Sequence, residues 1–119
     1  NLDCYIYRGG YDAWSASYWV DEMQETFGKG VFTPVQQTMK VLSLPMKQLG
    51  ADFDSKLIIY NNNPILKWCL SNTAIDIDIN GNIQPMKANQ LRRIDGTASL
   101  LDAYVTLEKH LADYNSFTL

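Results

Sequence analysis

Histidine and cysteine are nearly missing from this chain, which has one histidine and two cysteines in 119 residues. Cys4 and Cys69 lie far apart, which excludes a disulfide framework and a zinc knuckle and fits a reducing compartment. His110 falls late in the last helical stretch and reads as a surface residue; with no cysteine near it, a Cys/His nucleophile pair is unsupported. A phosphate-cradling Gly-x-x-x-x-Gly-Lys-Ser/Thr loop is also missing, since Gly28-Lys29-Gly30 lacks that spacing. No apolar run approaches the roughly 18 residues of a membrane span, and no signal peptide precedes Leu2. Excess positive charge is lacking too. The net charge is −3, so any contact with a polyanion has to come from a local patch. There are no internal repeats and no low-complexity segments.

What is present is an ordinary globular composition, 46% hydrophobic, long enough for one domain or part of one. The chain opens on Asn1 and is strand-like at once, so it reads as starting inside a domain. Cys4 to Tyr7 predict a short strand that Gly9-Gly10 breaks. Ala13 to Ala16 open a helix carrying Trp19, Met23 and Phe27 on one stripe, with Trp14 and Tyr18 beside it, and Gly28 ends it. Val31 to Gln36 predict a second strand, with Pro34 favouring an edge. Leu42 to Phe53 predict a helix with Pro45 in its first turn. After the short apolar run Leu57 to Tyr60, Asn61 to Pro64 turn into a helix that continues to Leu70 and ends at Ser71-Asn72. Ala74 to Ile79 alternate strictly, Asn80-Gly81 is a hairpin signal, and Asn82 to Gln84 return. The last helix opens near Arg92-Arg93-Ile94-Asp95-Gly96. Its apolar stripe holds Ile94, Ala98, Leu101 and Val105, widened by Leu100, Tyr104, Leu107 and Leu111. Asp95, Ser99, Asp102, Thr106, Lys109 and Asp113 line the other face.

With softer ligands scarce, the available chemistry lies in carboxylates. Metal-dependent phosphodiester cleavage needs hard oxygen ligands for Mg²⁺ or Mn²⁺, and two ions about 3.5–4 Å apart stabilise the attacking and leaving oxygens. Asp12 stands at a strand end and helix start, where it is either an N-cap or a carboxylate at the sheet edge that α/β enzymes use. Asp95 stands in a first helical turn, where it either complements the helix dipole or binds metal. Asp76 and Asp78 share one hairpin face, read as solvated because alternation explains it, with metal binding the lesser alternative. Two carboxylates are one too few for such a site.

Four motifs occur in order: Tyr11-Asp12-Ala13-Trp14-Ser15-Ala16; Asn62-Asn63-Pro64-Ile65-Leu66-Lys67-Trp68-Cys69-Leu70-Ser71-Asn72; Asp78 to Lys87; and Arg93-Ile94-Asp95-Gly96. Together, over roughly residues 5 to 105, they resemble the C-terminal nuclease region of tailed-bacteriophage large terminase subunits. The resemblance implies an α/β ribonuclease H-like fold, a mixed sheet flanked by helices. Residues 1–119 form its C-terminal part, with the first strand or strands missing and the ATPase motor domain absent, so ATP belongs only to that absent motor. It implies an acidic triad holding Mg²⁺ or Mn²⁺ in a two-metal site. Asp12 matches the second aspartate and Asp95 the third; the first has no counterpart here, so this fragment is expected to be inactive. The full-length protein would cut concatemeric phage DNA and pump it into the prohead. Its partners would be double-stranded DNA, the portal and the small terminase subunit, in the host bacterial cytoplasm, with no membrane. Lys87, Arg92 and Arg93 cluster near Asp95 and are the expected DNA-backbone contacts. Asn72 and Trp68 read as structural, a helix end and a core anchor. The competing expectation is a non-catalytic module that docks on portal or packaging partners with its aspartates as helix caps; a third is a prophage remnant with no working site.

Overall fold

A computed structural model describes residues 5–14 and 16–118. Its first strand, β1 (Gly9–Asp12), is built on the two glycines expected to break one. The reason lies in what packs on them. A Cβ on Gly9 would lie 2.5 Å from two ring carbons of Phe32, and one on Gly10 would lie 2.8 Å from the carbonyl oxygen of Asp102. Only residues without side chains allow that approach. Tyr5 to Arg8 are irregular, and the Cys4 end of the expected strand lies outside the described residues.

Helix α1 (Ser17–Phe27) carries the chain across to β2 (Phe32–Val35), which pairs with β1 in parallel, from Gly9 opposite Phe32 to Asp12 opposite Val35. Gly28 ends α1 as expected, at φ 105° with its N–H on the Gln24 carbonyl. Trp19 and Phe27 meet Phe32 edge-on, with centroids 5.6 and 6.1 Å apart. Helix α2 (Met39–Asp54) begins earlier than its proline suggested, and Pro45 sits inside it, buried. An interior proline removes one helical hydrogen bond, which costs about 3 kcal/mol. Leu42, Pro45 and Leu49 all face the core, and that burial offsets the loss.

The segment after α2 is irregular; Asn61 and Asn62 take positive φ, which asparagine tolerates. Helix α3 (Pro64–Ser71) starts as predicted: the Asn63 side chain accepts from the N–H groups of Ile65 and Leu66, and Pro64 takes the first turn. Strands β3 (Thr73–Ile77) and β4 (Ile83–Lys87) pair antiparallel. The turn between them is wider than Asn80-Gly81 alone. Asp78 organises it by accepting from the backbone N–H groups of Asn80 and Asn82 and from the Asn82 amide, and these bonds, led by Asn82, hold its carboxyl below the usual range. The aspartate face is half-buried rather than free in solvent: Asp76 accepts from Gln84, its cross-strand partner, at 2.9 Å. Ile75, Ile77 and Ile79, on the opposite face, are the exposed residues there.

The described strands form two separate two-stranded sheets rather than one mixed sheet. Pro34 gives β2 no N–H at that position, and β4 is held instead to α2, where the Ser43 hydroxyl accepts from the Ile83 N–H at 3.0 Å. Helix α4 (Asp95–Thr118) packs on β1, β2, α2 and α3. The core is Val35, Leu42, Leu49 and Leu101, flanked by Met46, Phe53, Leu100 and Tyr104. The expected polar face of α4 is partly wrong. Asp102 and Thr106 are buried, because the glycine backbone of β1 lies directly on them, while Leu107 and Leu111 are largely exposed.

Tyr104 Oη donates to Asp52 Oδ2 at 2.6 Å, tying α4 to α2. Burial, then the bond and charge of Asp52, push its phenol up to about 12. A raised folded-state value means the contribution is complete below the ordinary value of 10.0 and is lost as pH rises through about 12. Tyr104→Phe is expected to cost about 1 kcal/mol in urea unfolding at neutral pH. It should also remove the last ionisation step from the ultraviolet titration of the tyrosines.

Candidate functional site

The two parallel strands end together, and the chemistry gathers where they end. Asp12 closes β1, and the next residue, Ala13, donates its N–H to the Val35 carbonyl at 3.2 Å. Asp12 is half-buried. Its Oδ1 accepts from the Trp14 N–H at 2.8 Å, a turn two residues long. It does not cap α1, which starts later with Ala16 in the cap position and no side-chain bond there. The capping explanation of Asp12 therefore fails on geometry.

Helix α4 runs antiparallel to this strand. Tyr7 meets Tyr114 edge-on at 5.7 Å, Gly10 lies on Thr106 and Asp102, and Asp102 feels the charge of Asp12. The helix N-terminus and the strand C-terminus thus lie at one end of the molecule. Asp95 is the first residue of α4 and is exposed. It stands about two turns, on the order of 10 Å, beyond Asp102 on nearly the same helix face.

The start of α4 has a built seat. Asn72, buried at the end of α3, donates its side-chain amide to the Arg93 carbonyl at 3.0 Å. A Cβ on Gly96 would sit 3.2 Å from Cys69 and 3.3 Å from Leu66. The Thr73 and Thr97 hydroxyls are 2.8 Å apart. So the Asn62-to-Asn72 block and the Arg93-to-Gly96 motif are one structural unit, and its product is the position of Asp95. Asn72 is the helix end expected, with this second task besides. Trp68 is not a core anchor: it is 43% exposed, while its neighbour Cys69 takes the buried position against Gly96.

Asp102 and Gln37 belong to the same end and were not singled out from sequence. Gln37 Nε2 donates to the Val35 carbonyl and to Asp102 Oδ1, both at 3.0 Å. Burial raises the Asp102 carboxyl above the usual range, the Gln37 bond opposes this, and the charge of Asp12 adds to it. The signal available was spacing, since Asp102 follows Asp95 by about two helical turns. Lys87, the last residue of β4, and Arg92 and Arg93, on the connector that leads to Asp95, are exposed. His110 is half-buried rather than on the surface, and its buried Nε2 has no hydrogen-bond partner among the described residues. It lines a cleft of about 620 Å³ with Tyr5, Tyr7 and Tyr114, toward the other end of α4 from Asp95.

The donor chemistry suits a hard divalent ion, since both matched residues are carboxylates and the turn of Asp12 leaves its second oxygen outside. Two carboxylates alone would make only part of a ligand shell. Among the described residues no three His, Cys, Asp or Glu side chains are grouped to hold a metal ion, and no helix is long and apolar enough to cross a membrane.

Residues 6–110 match the family model described as the endonuclease domain of the terminase large subunit. The chain is also similar to Protein YmfN of Escherichia coli (strain K12), 35% identical over 65 residues, which is 52% of this chain and 14% of that protein. The chain thus matches only a small part of that relative's length. No solved structure matches.

Proposed function

Because this chain belongs to the endonuclease-domain family of terminase large subunits, we propose that it carries two aspartates of a metal-dependent DNA endonuclease site, Asp12 and Asp95. One observation carries this reading: Asp12 ends a parallel strand and Asp95 opens a helix antiparallel to it, so both stand at one end of the molecule. The parallel pair with its helical crossover supports a ribonuclease H-like arrangement. The remaining ligand is the family's first aspartate, which has no counterpart in residues 1–119.

Asp12 and Asp95 would hold Mg²⁺ or Mn²⁺ in this reading. When bound, the ions supply Lewis-acid stabilisation of the phosphate and a nucleophile at neutral pH. The chain's own residues do the rest. The Asp12 turn fixes one carboxylate oxygen, and the Asn72 seat fixes the helix that carries Asp95. Lys87, Arg92 and Arg93 bind the DNA backbone beside it, a contact that positions without reading sequence. The biological act is the cutting of concatemeric viral DNA for packaging, with the portal and the small terminase subunit as partners in the bacterial cytoplasm.

The experiment is plasmid cleavage by the intact protein that carries this sequence, with Mn²⁺, with Mg²⁺ and with EDTA. Nicking and linearisation that require the metal are expected. Equal cleavage in EDTA, or metal-dependent cleavage untouched by loss of both aspartates, overturns the assignment. A version limited to residues 1–119 should cut poorly or not at all.

A further inference from the structure

Asp102 is 7% exposed, and a buried carboxylate is costly unless it is hydrogen-bonded. On a helix face packed against a strand, an apolar side chain would serve stability better. The polar route it completes gives the reason for its presence. The Ala13 N–H, directly after Asp12, donates to the Val35 carbonyl at 3.2 Å. Gln37 Nε2 donates to that same carbonyl and to Asp102 Oδ1, at 3.0 Å each. An amide NH₂ carries two hydrogens, so both bonds hold at once. Asp102 sits on the helix whose first residue is Asp95, and the Thr106 hydroxyl donates to its carbonyl at 2.8 Å. A continuous chain of bonds therefore joins the backbone beside Asp12 to the helix that carries Asp95.

We propose that Gln37 and Asp102 are positioning residues which set the Asp12 carboxylate relative to Asp95; this inference rests on the metal-dependent reading above. They act through the backbone of β1 and through α4, not as ligands. A carboxylate pair that shares an ion has to be held to within about 0.5 Å. Partners one step removed from a metal typically change its affinity by about 10–100-fold.

The test is Mn²⁺ binding to the intact protein, followed by calorimetry and by the paramagnetic resonance signal of free Mn²⁺, at a temperature well below unfolding. Gln37→Met and Asp102→Leu are each expected to weaken binding by about tenfold or more. Asp102→Asn keeps an oxygen that accepts from Gln37, and should stay within about twofold of the parent. A role in stability alone would lower the melting temperature and leave Mn²⁺ affinity unchanged; that result in either Gln37→Met or Asp102→Leu overturns the inference. Loss of binding in Asp102→Asn as complete as in Asp12→Asn also overturns it, because Asp102 would then be a ligand. Should Asp102→Leu fail to fold, Gln37→Met at its half-buried position carries the decision. Asp12→Asn separates the two levels: if it abolishes binding while Gln37→Met does not weaken it, the endonuclease reading stands and this inference falls. No Mn²⁺ binding by the parent protein overturns both.

Discussion

Asp12→Asn and Asp95→Asn are each expected to reduce Mn²⁺-dependent plasmid cleavage by the intact protein by more than about a hundredfold. The size follows from comparison: loss of groups that merely support a metal ligand costs about 10–100-fold, and loss of the ligand itself exceeds that. The two substitutions are nearly isosteric and remove a charge without opening a hole. At Asp12, asparagine keeps an oxygen that accepts from the Trp14 N–H, so the turn survives. At Asp95, the exposed first residue of α4, the loss is a favourable dipole contact of about 0.3–1 kcal/mol. Neither effect unfolds the protein, and circular dichroism at the assay temperature checks this. Double-stranded DNA binding in the presence of EDTA should persist, because the proposed backbone contacts, Lys87, Arg92 and Arg93, are unchanged in both variants. Cleavage that survives in either variant places the site elsewhere.

Gly10→Ala is the second large effect, on stability. The added methyl would meet the Thr106 hydroxyl and lie 2.8 Å from the Asp102 carbonyl oxygen and 3.2 Å from Val35 Cγ2. Two of those neighbours are a helix backbone and a core side chain, and the Thr106 side chain is buried, so relief requires β1 and α4 to separate. Overpacking of this kind costs about 3 kcal/mol, a large part of the roughly 5–15 kcal/mol that holds a domain together. The melting temperature should fall by about 10 °C. Gly50→Ala is the control. Gly50 lies inside α2 with nothing within 4 Å of its added Cβ, and alanine there should stabilise by about 0.5–1 kcal/mol. Chemical denaturation of both variants gives opposite signs from the same substitution. A Gly10→Ala variant as stable as the parent would mean that the close approach of β1 to α4 is wrong.

These two glycines also show where the sequence was legible. Helix α3 could be read locally, since Asn63 and Pro64 act on the turn in which they stand. Gly28 ended α1 for the same reason. Asp12 and Asp95 were read at a strand end and a helix start, but what holds each there comes from afar: Phe32 and α4 for β1, and the end of α3 for the start of α4. Gly9-Gly10 misled because their local tendency is to break a strand, and what makes them one arrives from Phe32 and from α4. Pro45 misled in the same way, its burial deciding against its preference for a first turn. Asp102 looked solvated because helical spacing shows which residues share a face but not what covers it. Gln37 had no signal at all; its importance lies in a bond to a residue far along the chain.

Helix α4 has 24 residues, so its length of about 36 Å nearly equals the longest dimension of the molecule, 38 Å. Mechanically it is a beam held at three stations. Gly96 rests on Cys69 near one end, Asp102 and Thr106 rest on Gly10 in the middle, and Tyr114 rests on Tyr7 toward the other end. The outer stations are about 27 Å apart along the axis. A slip of about 0.5 Å at Tyr114 then tilts the beam by only about one degree. The long baseline makes the angle at which Asp95 is presented insensitive to small errors in packing far from it.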